Sequence, residues 1–132
     1  MMITADTNLL IRLVMADDEA QSRLAVRAVE EASVVAIGVH TLCEFVWVLS
    51  RSYAVPRGDV AHAIRQLIET RNVVVHRPAV EAGLEMLEAG GDFADGAIAF
   101  EGRLLGGETF VSFDGKAVAR LKRLGHSARE LG

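Results

Sequence analysis

The chain has 132 residues, a length that fits one domain over 1–132 and leaves no room for two of ordinary size. Apolar residues make up 51% of it, the mean hydropathy is +0.27 and the formal net charge is −4. That is ample for a core, with a surplus that hints at a buried partner surface; it counts against a binding module that holds nucleic acid by positive charge alone. The single cysteine, Cys43, forms no internal disulfide and points to a reducing cytoplasm, and no apolar run approaches the ~18 residues of a membrane span.

In chain order, residues 2–6 read as a buried strand. Residues 7–16 carry Leu9, Leu10, Leu13 and Val14 at helical spacing. After the Asp17-Asp18 break, residues 19–31 form a second helix. Residues 34–37 are a β-branched strand ended by Gly38, and residues 41–53 a helix with Leu42, Phe45, Val46 and Leu49 on one face. Pro56 and Gly58 break that helix. A fourth helix covers 59–71, a third strand 73–75, and a fifth helix runs from Pro78 to Glu88, where Gly90-Gly91 ends it. The sixth helix spans 93–105, the fourth strand 109–113 and the last helix 116–124, and residues 127–131 are a candidate edge strand. Strands alternating with helices predict an α/β fold with a mainly parallel sheet of about four to five strands, flanked by helices on both faces in three layers.

Five carboxylates share a topological address in that reading. Asp6 ends the first strand, Glu44 lies in the first turn of the third helix, Asp92 and Asp95 open the sixth helix, and Asp114 ends the fourth strand. Strand ends and helix starts crowd onto one edge of an open parallel sheet, where ligands bind. Crowded carboxylates cannot all stay ionised without a cation, and hard Mg²⁺ or Mn²⁺ ions take oxygen ligands. Such an ion activates water and stabilises charge on a phosphodiester. His40, His62, His76 and His126 show neither metal-ligand nor triad spacing. The competing reading is helix capping. Asp6, Asp92 and Asp114 stand where an N-cap belongs, Thr41-Leu42-Cys43-Glu44 spells a capping box, and Asp92-Phe93-Ala94-Asp95 opens a helix in much the same way.

The local sequence resembles PIN domains at each of these points. Asp6-Thr7-Asn8 is similar to the family's opening, residues 41–45 (TLCEF) to its second acidic station, residues 91–99 (GDFADGAIA) to its most distinctive segment, and residues 111–115 (VSFDG) to its last acidic strand end. The resemblance covers essentially the whole chain, and the nearest branch is the VapC-type toxins. It implies a PIN-like fold and a metal-dependent endoribonuclease, dimeric or in a toxin–antitoxin hetero-oligomer, silenced by a VapB-type antitoxin. Carried over, Asp6, Asp95 and Asp114 are metal ligands with Asp92 as an auxiliary. Glu44 completes the catalytic set. Thr7, Asn8 and Ser112 are polar partners that orient carboxylates or water. Gly96 and Gly115 depart from the family's usual residues and put local rigidity, not the acidic set, in question.

Among the basic residues Arg12, Arg51, Arg103, Lys116, Arg120, Lys122 and Arg123, Lys116 is the foremost candidate for RNA phosphate because it follows Asp114. Trp47, one turn beyond Glu44, reads as a core or partner-facing residue, with base stacking as the alternative. Leu9, Leu10, Leu13, Val46, Val48 and Leu49 are either core or an apolar groove for an antitoxin segment. A receiver fold is disfavoured because Asp17-Asp18 come too late and Val75 leads into His76-Arg77-Pro78. A haloacid-dehalogenase site is disfavoured because position 8 is Asn. A non-catalytic interaction domain whose carboxylates serve only as caps is the remaining rival.

Overall fold

The computed structural model describes residues Met1 to Gly132. They form seven helices and five short strands, and every strand pairing is parallel. The residues gather into two compact units, Met1–His76 and Arg77–Gly132.

The amino-terminal unit holds a parallel sheet in the order β1-β2-β3, with β1 at Met2–Thr4, β2 at Val34–Ala36 and β3 at Val73–Val74. Ile3 pairs with Val35, and Val35 with Val73. Parallel neighbours need long crossovers. Here each crossover is a helix pair: α1 (Thr7–Val14) and α2 (Glu19–Glu31), then α3 (Val39–Arg51) and α4 (Arg57–Glu69). The apolar stripe read in the third helix is the buried one, with Leu42, Phe45, Val46 and Leu49 all in the core. Leu10, Val35, Val60 and Ile64 are buried with them, each large side chain contributing about 1.5–3 kcal/mol.

Two polar ties lock this unit. The Asn72 side-chain amide donates to the carbonyls of Val29 and Ala32 at 2.8 and 2.9 Å, fastening the end of α2 to the entrance of β3. The Asp17 carboxylate accepts from the Tyr53 hydroxyl at 2.7 Å and from the Arg12 guanidinium, fastening the α1–α2 turn to the end of α3. The Tyr53 hydrogen bond, with help from Arg12, holds the Asp17 carboxyl below the usual range.

The carboxy-terminal unit contains α5 (Arg77–Glu88), α6 (Phe93–Leu104), β4 (Phe110–Ser112), α7 (Gly115–Arg123) and β5 (Ala128–Glu130). The tail strand expected at 127–131 therefore forms, paired in parallel with β4. The expected sheet is present as five strands in sheets of three and two. Met86, Ala99, Ala117, Val118, Leu121 and Ala128 form a core cluster under Phe110 and Leu124.

Glycine lets α5 and α6 lie backbone to backbone. A Cβ on Gly96 would stand 2.4 Å from the Ala82 carbonyl oxygen and 2.8 Å from Met86 Cβ. Gly96 is thus a packing requirement, not a loosened spot as its poor helix propensity suggests. Phe93 is fully buried, and its ring occupies the space a side chain at Gly83 would need. The end of α5 is a Schellman motif: the Gly91 amide donates to Met86 and the Gly90 amide to Leu87, at 2.8 and 3.1 Å, with Gly90 at φ +94°.

Gly96→Ala and Gly102→Ala test this packing on one helix. The first forces α5 and α6 apart and is expected to destabilise the protein by about 1–3 kcal/mol. The second places its methyl in open space and is expected to stabilise by up to about 1 kcal/mol through helix propensity. Urea unfolding of both variants reads the opposite signs.

Candidate active site

In the amino-terminal unit, Asp6 follows β1 and is the N-cap of α1, its Oδ1 accepting from the Leu9 amide at 2.9 Å. The second oxygen, Oδ2, makes no hydrogen bond. Thr7 is the first residue of α1, and Asn8 beside it is exposed. Glu44 stands in α3, which starts after neighbouring strand β2, so both acids follow the carboxyl ends of adjoining parallel strands.

The helix begins at Val39, two residues earlier than its capping-box text suggests, and its N-cap is Gly38 with no side-chain cap bond. Glu44 therefore lies in the second turn, not the first, and Thr41 is not a cap. The capping account of Glu44 fails: its exposed carboxylate faces only His40, at 3.6 Å.

In the carboxy-terminal unit, Asp92 caps α6 through its Oδ1 to the Ala94 amide at 3.1 Å. Asp114 caps α7 through its Oδ1 to the Lys116 and Ala117 amides at 3.1 and 3.2 Å. The Ser112 hydroxyl accepts from the Asp114 amide at 2.9 Å and so fixes the backbone that presents this carboxylate.

Asp95 differs from all of these. It sits in the first turn of α6, half-buried, and no hydrogen bond satisfies its carboxylate. Burial pushes its pKa above the usual carboxylate range, and the negative charges of Asp92 and then Asp114 push it further. Asp95 thus feels the charges of Asp92 and Asp114 at the amino ends of α6 and α7.

Arg120 holds that arrangement. Its Nε donates to the Ala89 carbonyl at 3.1 Å, and its Cδ lies where a side chain at Gly91 would go. The arginine of α7 therefore clamps the turn that delivers Asp92 and Asp95. It is a structural residue, as is Arg12, whereas Arg103 stacks over the Phe100 ring at 5.6 Å. Lys116 remains exposed beside Asp114.

Two further residues at this edge escaped sequence reading. Glu130 pairs with Ser112 in the parallel register, and its carboxylate oxygens lie 2.9 Å from where a Cβ on Gly115 would stand. Gly115 thus leaves room for a further acidic side chain next to Asp114. Phe113 lies beyond the end of β4 and is 78% exposed. Only the β4–β5 register, invisible in the sequence, could have found Glu130.

Within the carboxy-terminal unit, Asp92 and Asp114 each keep an Oδ2 without a hydrogen bond, and carboxylate oxygens are the donors that hard divalent cations take. No group of three or more His, Cys, Asp or Glu side chains stands where it could hold a metal ion. Mg²⁺ does not require one, since it keeps several waters and is usually held by one or two carboxylates.

A family profile described as PIN domain matches residues 3–124. No curated protein matches the chain.

The charge crowding at Asp95 makes a prediction about stability. A carboxyl whose folded pKa lies above its unfolded value of 3.8 destabilises the fold once pH rises through that window, because the unfolded chain ionises it more easily. In EDTA, Asp95→Asn is expected to melt higher than the parent protein at pH 7 and to converge with it below about pH 4. Calorimetric melting across pH checks this; added Mg²⁺ is expected to raise the parent's melting temperature and leave the variant's unchanged.

Proposed function

The chain belongs to the PIN domain family, and from that premise we propose that it is a Mg²⁺- or Mn²⁺-dependent endoribonuclease, the toxin of a VapBC-type toxin–antitoxin pair. PIN domains are generally nucleases that use divalent metals. The observation that carries the reading is Asp95, a half-buried carboxylate beside Asp92 and Asp114 that caps no helix and pairs with no basic side chain. Capping accounts for Asp6, Asp92 and Asp114, but not for Asp95 or Glu44. A group that costs stability and satisfies no hydrogen bond is what a functional acid looks like.

In this reading the residues 1–132 act as one PIN domain. Asp6, Asp95 and Asp114 are the metal ligands and Asp92 is auxiliary. A bound divalent ion supplies an activated water and stabilises charge on the phosphoryl oxygens. Glu44 orients the attacking water and takes its proton. Ser112 and the cap bonds hold Asp114 in place, and Thr7 and Asn8 orient Asp6 and water. Lys116 attracts a backbone phosphate. Attack at phosphorus with departure of the 3′ oxygen leaves 5′-phosphate and 3′-hydroxyl ends.

The toxin role rests on the resemblance of the TLCEF and GDFADGAIA segments to VapC-type chains. The cognate partner is then a VapB-type antitoxin, with the toxin as a homodimer or in a hetero-oligomer in the cytoplasm. Of the proposed groove residues, Leu10, Val46 and Leu49 are core, so Leu9, Leu13 and Val48 are the ones left to meet a partner. No helix is long and apolar enough to cross a membrane.

Purified protein incubated with total RNA is expected to cut it in Mg²⁺ or Mn²⁺ and to stop in EDTA. Asparagine caps helices as well as aspartate does, so Asp6→Asn and Asp114→Asn spare the fold while removing a charged ligand. These variants, Asp95→Asn and Glu44→Gln are each expected to lose at least about 100-fold in rate. Cleavage that persists in EDTA, or at parental rate in Asp95→Asn, contradicts the proposal.

A further inference from the structure

The fully solvated side of α3 is neither apolar nor uniformly charged. Glu44, Trp47 and Arg51 follow one another at intervals of three and four residues, the spacing that aligns side chains along one helix face. Leu42, Phe45, Val46 and Leu49 occupy the opposite, buried side. Trp47 is 60% exposed, so it is not the core residue its size suggests. Arg51 is exposed and makes no ion pair, unlike Arg12, Arg23 and Arg27 in the same unit. Leaving a tryptophan in water forfeits much of its burial energy, and a free guanidinium one turn away offers a phosphate contact.

The geometry points to single-stranded RNA as the occupant of this face: we propose that Trp47 stacks on a base next to the cleaved bond and that Arg51 holds the following phosphate. The inference rests on the nuclease reading of Glu44 and names how its substrate is gripped. At 1.5 Å per residue, Trp47 lies about 4.5 Å and Arg51 about 10.5 Å along the axis from Glu44, in reach of consecutive nucleotides. An aromatic platform with a cation beside it is how unpaired strands are held without reading their sequence. A duplex keeps its bases stacked inside and offers no free base face to Trp47. The positive Arg51 and the π-face of Trp47 complement a polyanion with exposed bases.

Trp47 is the only tryptophan in the chain, so its fluorescence reports on this face alone. The full chain is titrated in EDTA, where no cutting occurs, with a short single-stranded oligoribonucleotide. Saturable quenching of Trp47 is expected. Trp47→Ala is expected to weaken binding, read by anisotropy of labelled RNA, about 5- to 150-fold, and Trp47→Phe to keep most of the affinity. Arg51→Ala is expected to lower the slope of log affinity against log salt by about 0.7.

RNA that binds without changing Trp47 emission, with Trp47→Ala unaffected, overturns the proposal and leaves the nuclease reading standing. Equal quenching by duplex RNA overturns it as well. So does emission that responds only to protein dilution, which makes the face a contact between copies of the chain. Quenching that occurs as expected in a protein that cuts no RNA with any divalent metal supports the binding face and sinks the hydrolytic role.

Discussion

Like-charge crowding at the amino ends of α6 and α7 is the constraint around which the carboxy-terminal unit is arranged. Asp92 and Asp114 each use one oxygen to cap a helix, which orients the carboxylate and leaves the other oxygen outward. Their charges reach Asp95, which is half-buried and uncapped. Helix amino ends offset part of this repulsion through their partial positive charge. What remains is a repulsion that keeps the Asp95 pKa above the usual carboxylate range. In each case the cap bond fixes how the carboxylate stands on its helix.

Such a repulsion persists only if the backbone cannot move to relieve it. The close approach of α5 and α6 through Gly96, the Schellman turn at Gly90-Gly91 and the Arg120 clamp across that turn all restrain the segment bearing Asp92 and Asp95. Ser112 does the same for Asp114. None of these residues has catalytic chemistry of its own. Their common effect is to hold the segments that carry Asp92, Asp95 and Asp114 in one arrangement.

The sequence was most legible where one signal governed one element. The α3 stripe, the Gly90-Gly91 stop and the alternation of strands with helices all appear in the structure. Helix starts were less legible when two signals competed. The Thr41-to-Glu44 text suggested a cap, but Gly38, three residues earlier, is the cap of α3, and Pro56 likewise opens α4 at Arg57 where Asp59 had looked like the start. Long-range facts were not legible at all. Glu130 lies against Gly115 only because β4 and β5 pair in a given register, and Gly96 looks like a weak helix residue until Ala82 is seen beside it. Arg120 reads as a solvated helix residue, with phosphate contact as the alternative, and the fold makes it a clamp. Trp47 shows the limit from the other side, since a core or a partner-facing position fitted its size equally and only the fold shows it 60% exposed.

Direct metal binding reaches the centre of this account without relying on turnover. Isothermal calorimetry of the RNA-free protein with Mn²⁺, repeated in buffers of different ionisation enthalpy across a range of pH, reads both the ion bound and the proton it displaces. Saturable binding with proton release, abolished in Asp95→Asn and kept in a Lys116→Ala control, is the predicted result. Absence of binding in the parent protein, or equal binding in Asp95→Asn, contradicts it.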